Sequence, residues 1–419
     1  MTMANTKNAA TLNLSLKRGM TIDTVGDVVA MFIIIWGISP PLQMGTAIRV
    51  VAILCSVFWL FYALMRLKSL SARTASCILG VFVFCFIILF FGLINDANIL
   101  KLIIRNLHLI VFLLYLCIGI FYLEVRPKLL ENAYYIAISL LTIFCLITFR
   151  AYQSNPYISR MLVHSPDFAA DYARRGVGGY GLVYTSIFAV NSLLYRIVDE
   201  KTSKYLKMLF GASIAIMSLT IFSSSFFIAN IILFTLIASF GFKLYSKDKK
   251  EGVLLFFIIF SFLCLSVYLV IVNFGDAIKD QALGSRYYQK ICNVIDYANG
   301  WEVEGSLNGR VERYDRSWDE IVAHPFLGRG VVGGGKIGGH SALLDIVAYY
   351  GIIFSLPYFY SIFVFYGQLL KHRPKFGYFF ISIFGILFLG VFNTYVLENG
   401  VGFFILIPAA CIGAEEEEK

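Results

Sequence analysis

Residues 75–94 read "ASCILGVFVFCFIILFFGLI", a run without a charged residue or a proline. An α-helix rises about 1.5 Å per residue, so about 20 apolar residues cross the hydrocarbon core of a bilayer. This run has that length and is read as a membrane-crossing helix. Working outward from it, twelve such runs are expected, near 24–40, 46–65, 75–94, 99–123, 132–149, 179–198, 205–222, 225–242, 253–274, 342–370, 376–395 and 399–413. The run from Ser341 to Leu370 is too long for one straight crossing, which predicts a broken or re-entrant first part followed by a full span. The bulk composition agrees. Of 419 residues, 59% are hydrophobic, 16% aromatic and 15% charged, too little polar surface for a soluble chain of this length.

The net charge of +9 does not point to nucleic acid, because the bases are spread in small groups between apolar runs. Their placement predicts sidedness. Lys7, Lys17 and Arg18 lie before the first run. Arg66, Lys68 and Arg73, then Arg126 and Lys128, then Arg196, Lys201 and Lys204, then Lys243, Lys247, Lys249 and Lys250, and finally Lys371, Arg373 and Lys375 fall in every second connection. Both termini are therefore expected on the cytoplasmic side. About twenty polar residues precede the first run and no small-residue cleavage site follows it, so no cleaved signal peptide is expected.

The fold expected is an all-α polytopic membrane protein of about twelve spans. Residues 1–274 hold the first nine spans with an outer loop near 150–178, residues 275–340 form a large outer loop, residues 341–413 hold the last three spans, and 414–419 form an inner tail. The 275–340 loop carries Trp301, Trp318, Tyr287 and Tyr288 and is too long and aromatic for a connector, so it is expected to fold over the outer surface and hold the chemistry. Seven of the eight cysteines sit in or beside apolar runs and Cys292 stands alone in the loop, which leaves no outer pair for a disulfide and no zinc-ligand spacing. No cofactor or metal is expected.

Within the loop, "GVVGGGK" at 330–336 matches all but the last position of a phosphate-binding loop. Ile337 stands where a Ser or Thr hydroxyl would hold magnesium, and no apolar strand precedes the segment, so a nucleotide site is not expected. The glycines suit a loop returning to a helix. His340 immediately precedes the next apolar run, as a helix cap or as a functional imidazole at the membrane interface. Upstream, "NGRVERYDRSWDEIVAHPFLGRG" supplies Arg310, Arg313, Arg316 and Arg329. The first three are spaced by three, which places adjacent ones on one helix face. Guanidiniums beside a neutral imidazole suit an anionic substrate with an attackable centre. His164 lies in the other loop, and His324 in the turn "AHPF" reads as structural.

His340, Ser341, Leu344 and Gly351 match the pattern His-Ser-x-x-Leu, six residues, Gly. With the upstream block holding Arg310, Trp318, Pro325, Leu327, Gly328 and Gly330, the chain resembles the O-antigen polymerase and O-antigen ligase superfamily of bacterial inner-membrane glycosyltransferases. The resemblance implies transfer of a glycan from undecaprenyl pyrophosphate to a sugar hydroxyl on the periplasmic side, with His340 as general base and Arg310 on the leaving pyrophosphate. It further implies a chain-length regulator and a flippase as partners. The family's second, mid-chain arginine has no counterpart in "FSSSFFIAN" from Phe222, so Arg174 and Arg175 in "DYARRGVGGYGLVY" are the substitutes, with interface anchoring as the alternative. The "GVGGY" after them resembles a segment of the polymerases. Arg105, inside the fourth run with His108, either snorkels to the interface or contacts the lipid pyrophosphate. A ligase to lipid A core would demand the same residues. A lipid-glycan flippase would instead hold its charges at midplane in broken helices.

Overall fold

The computed structural model describes residues 22–95, 99–155, 158, 161–162, 165–199, 201–224, 226–245, 269–281, 283, 288–298, 308–332, 337–371, 385, 387, 389–393 and 397–411. All regular secondary structure among them is helical. The expected spans at 253–274 and 376–395 fall largely outside the described residues, as do the terminal tails, His164, Trp301 and the glycines 333–335.

Helices α1 (Ile22–Ile38) and α3 (Thr46–Met65) form an antiparallel pair joined by the short α2 (Pro40–Gln43). Next come α4 (Ala72–Ile94), α5 (Ile99–Val125), α6 (Pro127–Ser154), the short α7 (Pro166–Arg174), α8 (Tyr180–Val198), α9 (Lys204–Ser223) and α10 (Phe227–Tyr245). Beyond them lie α11 (Tyr288–Ala298), α12 (Asn308–Ala323), α13 (Arg329–Val332), α14 (Ala342–Lys371) and α15 (Leu397–Cys411). Six candidate spans are long and apolar enough to cross a membrane among the described residues: α3, α4, α6, α8, α9 and residues Ala342–Gly367 of α14. The chain is thus a membrane-embedded helical bundle.

Three helices form its centre. Every side chain is buried over 111–122 of α5, 181–193 of α8 and 400–408 of α15. A helix apolar on all sides belongs where neighbours cover every face. Here Phe403 of α15 meets the rings of Phe112 on α5, Phe188 on α8 and Phe365 on α14. The surrounding helices turn one face outward, exposing Leu54, Phe61, Phe86, Leu93, Ile143, Leu219 and Phe363. In water so much exposed apolar surface would be a liability; against lipid tails it is the required face.

The ends of the bundle differ. At one end Arg66 after α3 pairs with Asp23 at the start of α1, and Arg126 after α5 pairs with Asp27 and reaches Asp23 at 3.5 Å. The first residue of α4's cap, Ser71, is bonded to Glu124 at the same end. At the far end of α4, Asn95 donates to the Gly330 carbonyl at 2.7 Å. A helix of 23 residues separates these ends by about 34 Å. The connections that hold Arg66 and Arg126 and the Gly330 carbonyl therefore lie at opposite ends of α4.

The long run is broken as expected, and the break falls at Gly351, whose φ of 69° and ψ of 172° are open to glycine alone. The second half of α14 then begins with unpaired N–H groups. Ile352 donates to the Pro325 carbonyl at 2.9 Å and Ile353 to the Phe326 carbonyl at 3.1 Å. A methyl on Gly351 would come 2.3 Å from Phe326 O, and one on Gly328 (φ 74°) would come 2.2 Å from Gly351 N. The "HPFLGRG" turn is thus a backbone plug in a broken helix.

Two helices overrun their expected spans. Helix α6 continues through Arg150 to Ser154, and residues 269–281 are helical beyond the expected end at 274. Polar residues end an apolar run without ending its helix. The described residues of the 275–340 loop include the helices α11, α12 and α13.

Candidate functional site

Helix α12 packs against α14, and the two bring their polar residues together beside the start of α14. Ser341 caps that start: its hydroxyl accepts from Leu344 N–H at 3.3 Å and donates to the Gly390 carbonyl at 3.1 Å. His340 sits immediately before the cap, half-buried.

Arg313 of α12 is hydrogen-bonded through Nη1 to His340 Nε2. A guanidinium can only donate, so this pairing calls for a neutral imidazole that accepts at Nε2 and carries its proton on Nδ1. Its pKa lies below the ordinary histidine value, first because burial disfavours the charged form, then because Arg313 and Arg310 repel a second positive charge; Asp345 opposes them. The Arg310 charge also acts on the hydroxyls of Tyr180 and Tyr184 at the start of α8 and on Tyr314. Tyr184 accepts from Asn393 at 3.3 Å, and the Asn393 carbonyl accepts from Ala342 N–H at 3.0 Å. The site thus joins α8, α12, the residues around 390 and the start of α14.

Asp345 was not anticipated. It is 8% exposed, and its carboxylate accepts from Ser317 Oγ at 2.6 Å, Gly339 N–H at 3.1 Å and Ser341 N–H at 3.0 Å. Ser317, buried on α12, also accepts from Gly338 N–H at 2.9 Å. A methyl on Gly338 would lie 1.9 Å from Arg313 O, so this glycine is set by close approach to α12. The signal in the sequence was an acid four residues after Ser341, close to a capping box.

The other arginines part ways. Arg316 is exposed on α12. Arg329 faces Glu320 at 3.6 Å, with His324 Nε2 3.9 Å from the same carboxylate, on the later turns of α12. Arg174 and Arg175 end α7 and are exposed; Arg175 pairs with Asp171 at 2.8 Å and lies 5.6 Å over the Tyr172 ring. Gly176 (φ 84°) and Val177 close that helix in a Schellman motif, with Val177 N–H on Tyr172 O at 3.0 Å and Gly176 N–H on Ala173 O at 2.9 Å. These two arginines complement a helix C-terminus, which accounts for them as structural charges. Arg105 lies on the first turns of α5, its side chain outside the described residues. Among the described residues no group of three or more His, Cys, Asp or Glu is placed to hold a metal.

In comparison with known proteins, the chain matches no family model and no curated protein.

Proposed function

We propose that this chain is an O-antigen polymerase, or a polymerase of a related surface polysaccharide, in the bacterial inner membrane, with twelve spans, cytoplasmic termini and a periplasmic site. The carrying observation is the pairing of the His340 imidazole with Arg313, within reach of the Arg310 charge, beside the start of α14.

The chemistry asked of the site is limited. An acceptor hydroxyl attacks the anomeric carbon of a glycan on undecaprenyl pyrophosphate. The new C–O bond forms as the bond to pyrophosphate oxygen breaks, and the hydroxyl proton passes to His340. Undecaprenyl pyrophosphate leaves with the bonding electron pair, its charge met by guanidiniums. Single displacement inverts the anomeric centre. In the ligand-free site Arg313 occupies the lone pair that must accept the proton, so phosphate oxygens that draw Arg313 away also release the base. Arg310 is the leaving-group contact, and Arg316, exposed on the same helix, is a further one. Arg105 is a secondary contact for the lipid headgroup, while Arg174 and Arg175 at a helix C-terminus and Arg329 beside Glu320 serve the fold; a chain-length regulator and a flippase are the expected partners.

The test is incubation of the purified protein with a synthetic undecaprenyl-pyrophosphate repeat unit. A ladder of longer lipid-linked glycans supports the proposal. Transfer only to added lipid A core would make it a ligase, and movement of the lipid between leaflets without growth would make it a transporter.

A further inference from the structure

The residue that sets the imidazole in place is four positions beyond the cap of α14. We propose that Asp345 is a positioning residue, gripping the peptide N–H on each side of His340 and, through Ser317, tying the imidazole's loop to the helix that carries Arg310 and Arg313.

Three observations carry this. The two donors of the loop held by the carboxylate, Gly339 N–H and Ser341 N–H, flank a single residue, His340. Gly339 has φ of 77° and a Cβ there would meet nothing within 4 Å, so no packing at that position holds the turn. The third donor, Ser317 Oγ, lies one turn of α12 beyond Arg313 and itself receives Gly338 N–H. A carboxylate bonded three times by neutral donors is costly to bury, and an ordinary helix cap needs only one such bond. The arrangement instead fixes three of the four peptide N–H groups from 338 to 341, those of 338, 339 and 341, against α12 and α14. The loop of the base and the helix that carries the guanidiniums are then held in one register, which is the preorganisation that proton transfer during leaving-group departure requires.

The inference rests on His340 acting as the base. The groups facing its imidazole are Arg313 and Arg310 on α12 and Asp345 on α14, with Tyr314, Tyr180 and Tyr184 around Arg310. Asp345 is the only one of the three charges that favours the imidazolium, so its neutralisation moves the titration downward.

The experiment is an NMR titration of [13Cε1]histidine-labelled full-length protein in nanodiscs, with the His340 signal assigned by its loss in His340→Gln, alongside steady-state kinetics. In Asp345→Asn the His340 midpoint falls, its resonance broadens, and kcat drops at least tenfold with KM for the lipid donor unchanged. An unmoved midpoint, or wild-type kcat, overturns the proposal. If Asp345→Asn does not fold, Ser317→Ala serves: it removes no charge, so the midpoint stays while kcat falls, and an unchanged kcat overturns the proposal. The titration reads the imidazole itself. Wild-type protein that forms no polymer therefore defeats the proposed reaction, and an unmoved midpoint in Asp345→Asn defeats the clamp, independently.

Discussion

Gly351→Ala tests whether the broken helix is essential to the architecture. The φ/ψ pair of 69° and 172° costs a non-glycine residue about 1–3 kcal/mol. The new methyl would sit 2.3 Å from Phe326 O and 2.4 Å from Gly328 N, both backbone atoms, so the plug must move. Moving it breaks the bonds from Ile352 to Pro325 and from Ile353 to Phe326, at about 1 kcal/mol each. Together the loss is about 3–5 kcal/mol, a large part of the roughly 5–15 kcal/mol that holds a typical domain folded. The assay is thermal unfolding in detergent followed by a thiol-reactive dye, since Cys77, Cys117 and Cys145 are free and buried. The midpoint should fall on the order of 5 °C. Gly211→Ala is the control. On α9 an added methyl meets nothing within 4 Å, so alanine there is neutral or stabilising by up to about 1 kcal/mol. If the two variants melt alike, the interlock between Gly328 and Gly351 does not hold the fold.

Four further outcomes are expected. His340→Ala abolishes chain growth while expression and melting persist, and a retained glycan ladder removes the base assignment. Arg310→Lys fails as well, because an ammonium lacks the two-point contact of a guanidinium with phosphate oxygens; wild-type kcat/KM would reduce Arg310 to an anchor. Arg313→Gln shifts the pH profile. Burial, Arg313 and Arg310 hold His340 below its usual pKa, so the wild-type base stays active until the pH drops under about 6.5. Removing Arg313 raises that limb, and a limb that stays put or falls contradicts the pairing. Arg175→Ala leaves melting unchanged, since an exposed pair with Asp171 contributes little. A raised KM for the lipid donor in this variant would return Arg175 to the substrate contacts.

The sequence by itself determined that the chain is a bundle of apolar helices, that the run after Ser341 must break, and that His340 stands at a helix start near Arg310 and Arg313. Each follows from residues considered singly or within one helix: hydropathy, length, a cap, a spacing of three. Only the tertiary structure decided which polar groups meet. It gave Arg313 to the imidazole and Arg329 to Glu320, though both lay in one stretch rich in guanidiniums. It also showed that the glycines at 328, 338 and 351 answer to backbone approaches across 21 or more residues. Asp345 was the residue least visible in advance, because its meaning depends on the directions of three donors. Burial acts on each side chain alone and leaves a periodic trace in sequence, whereas a hydrogen bond depends on the relative placement of two groups, and that placement exists only once the helices have packed.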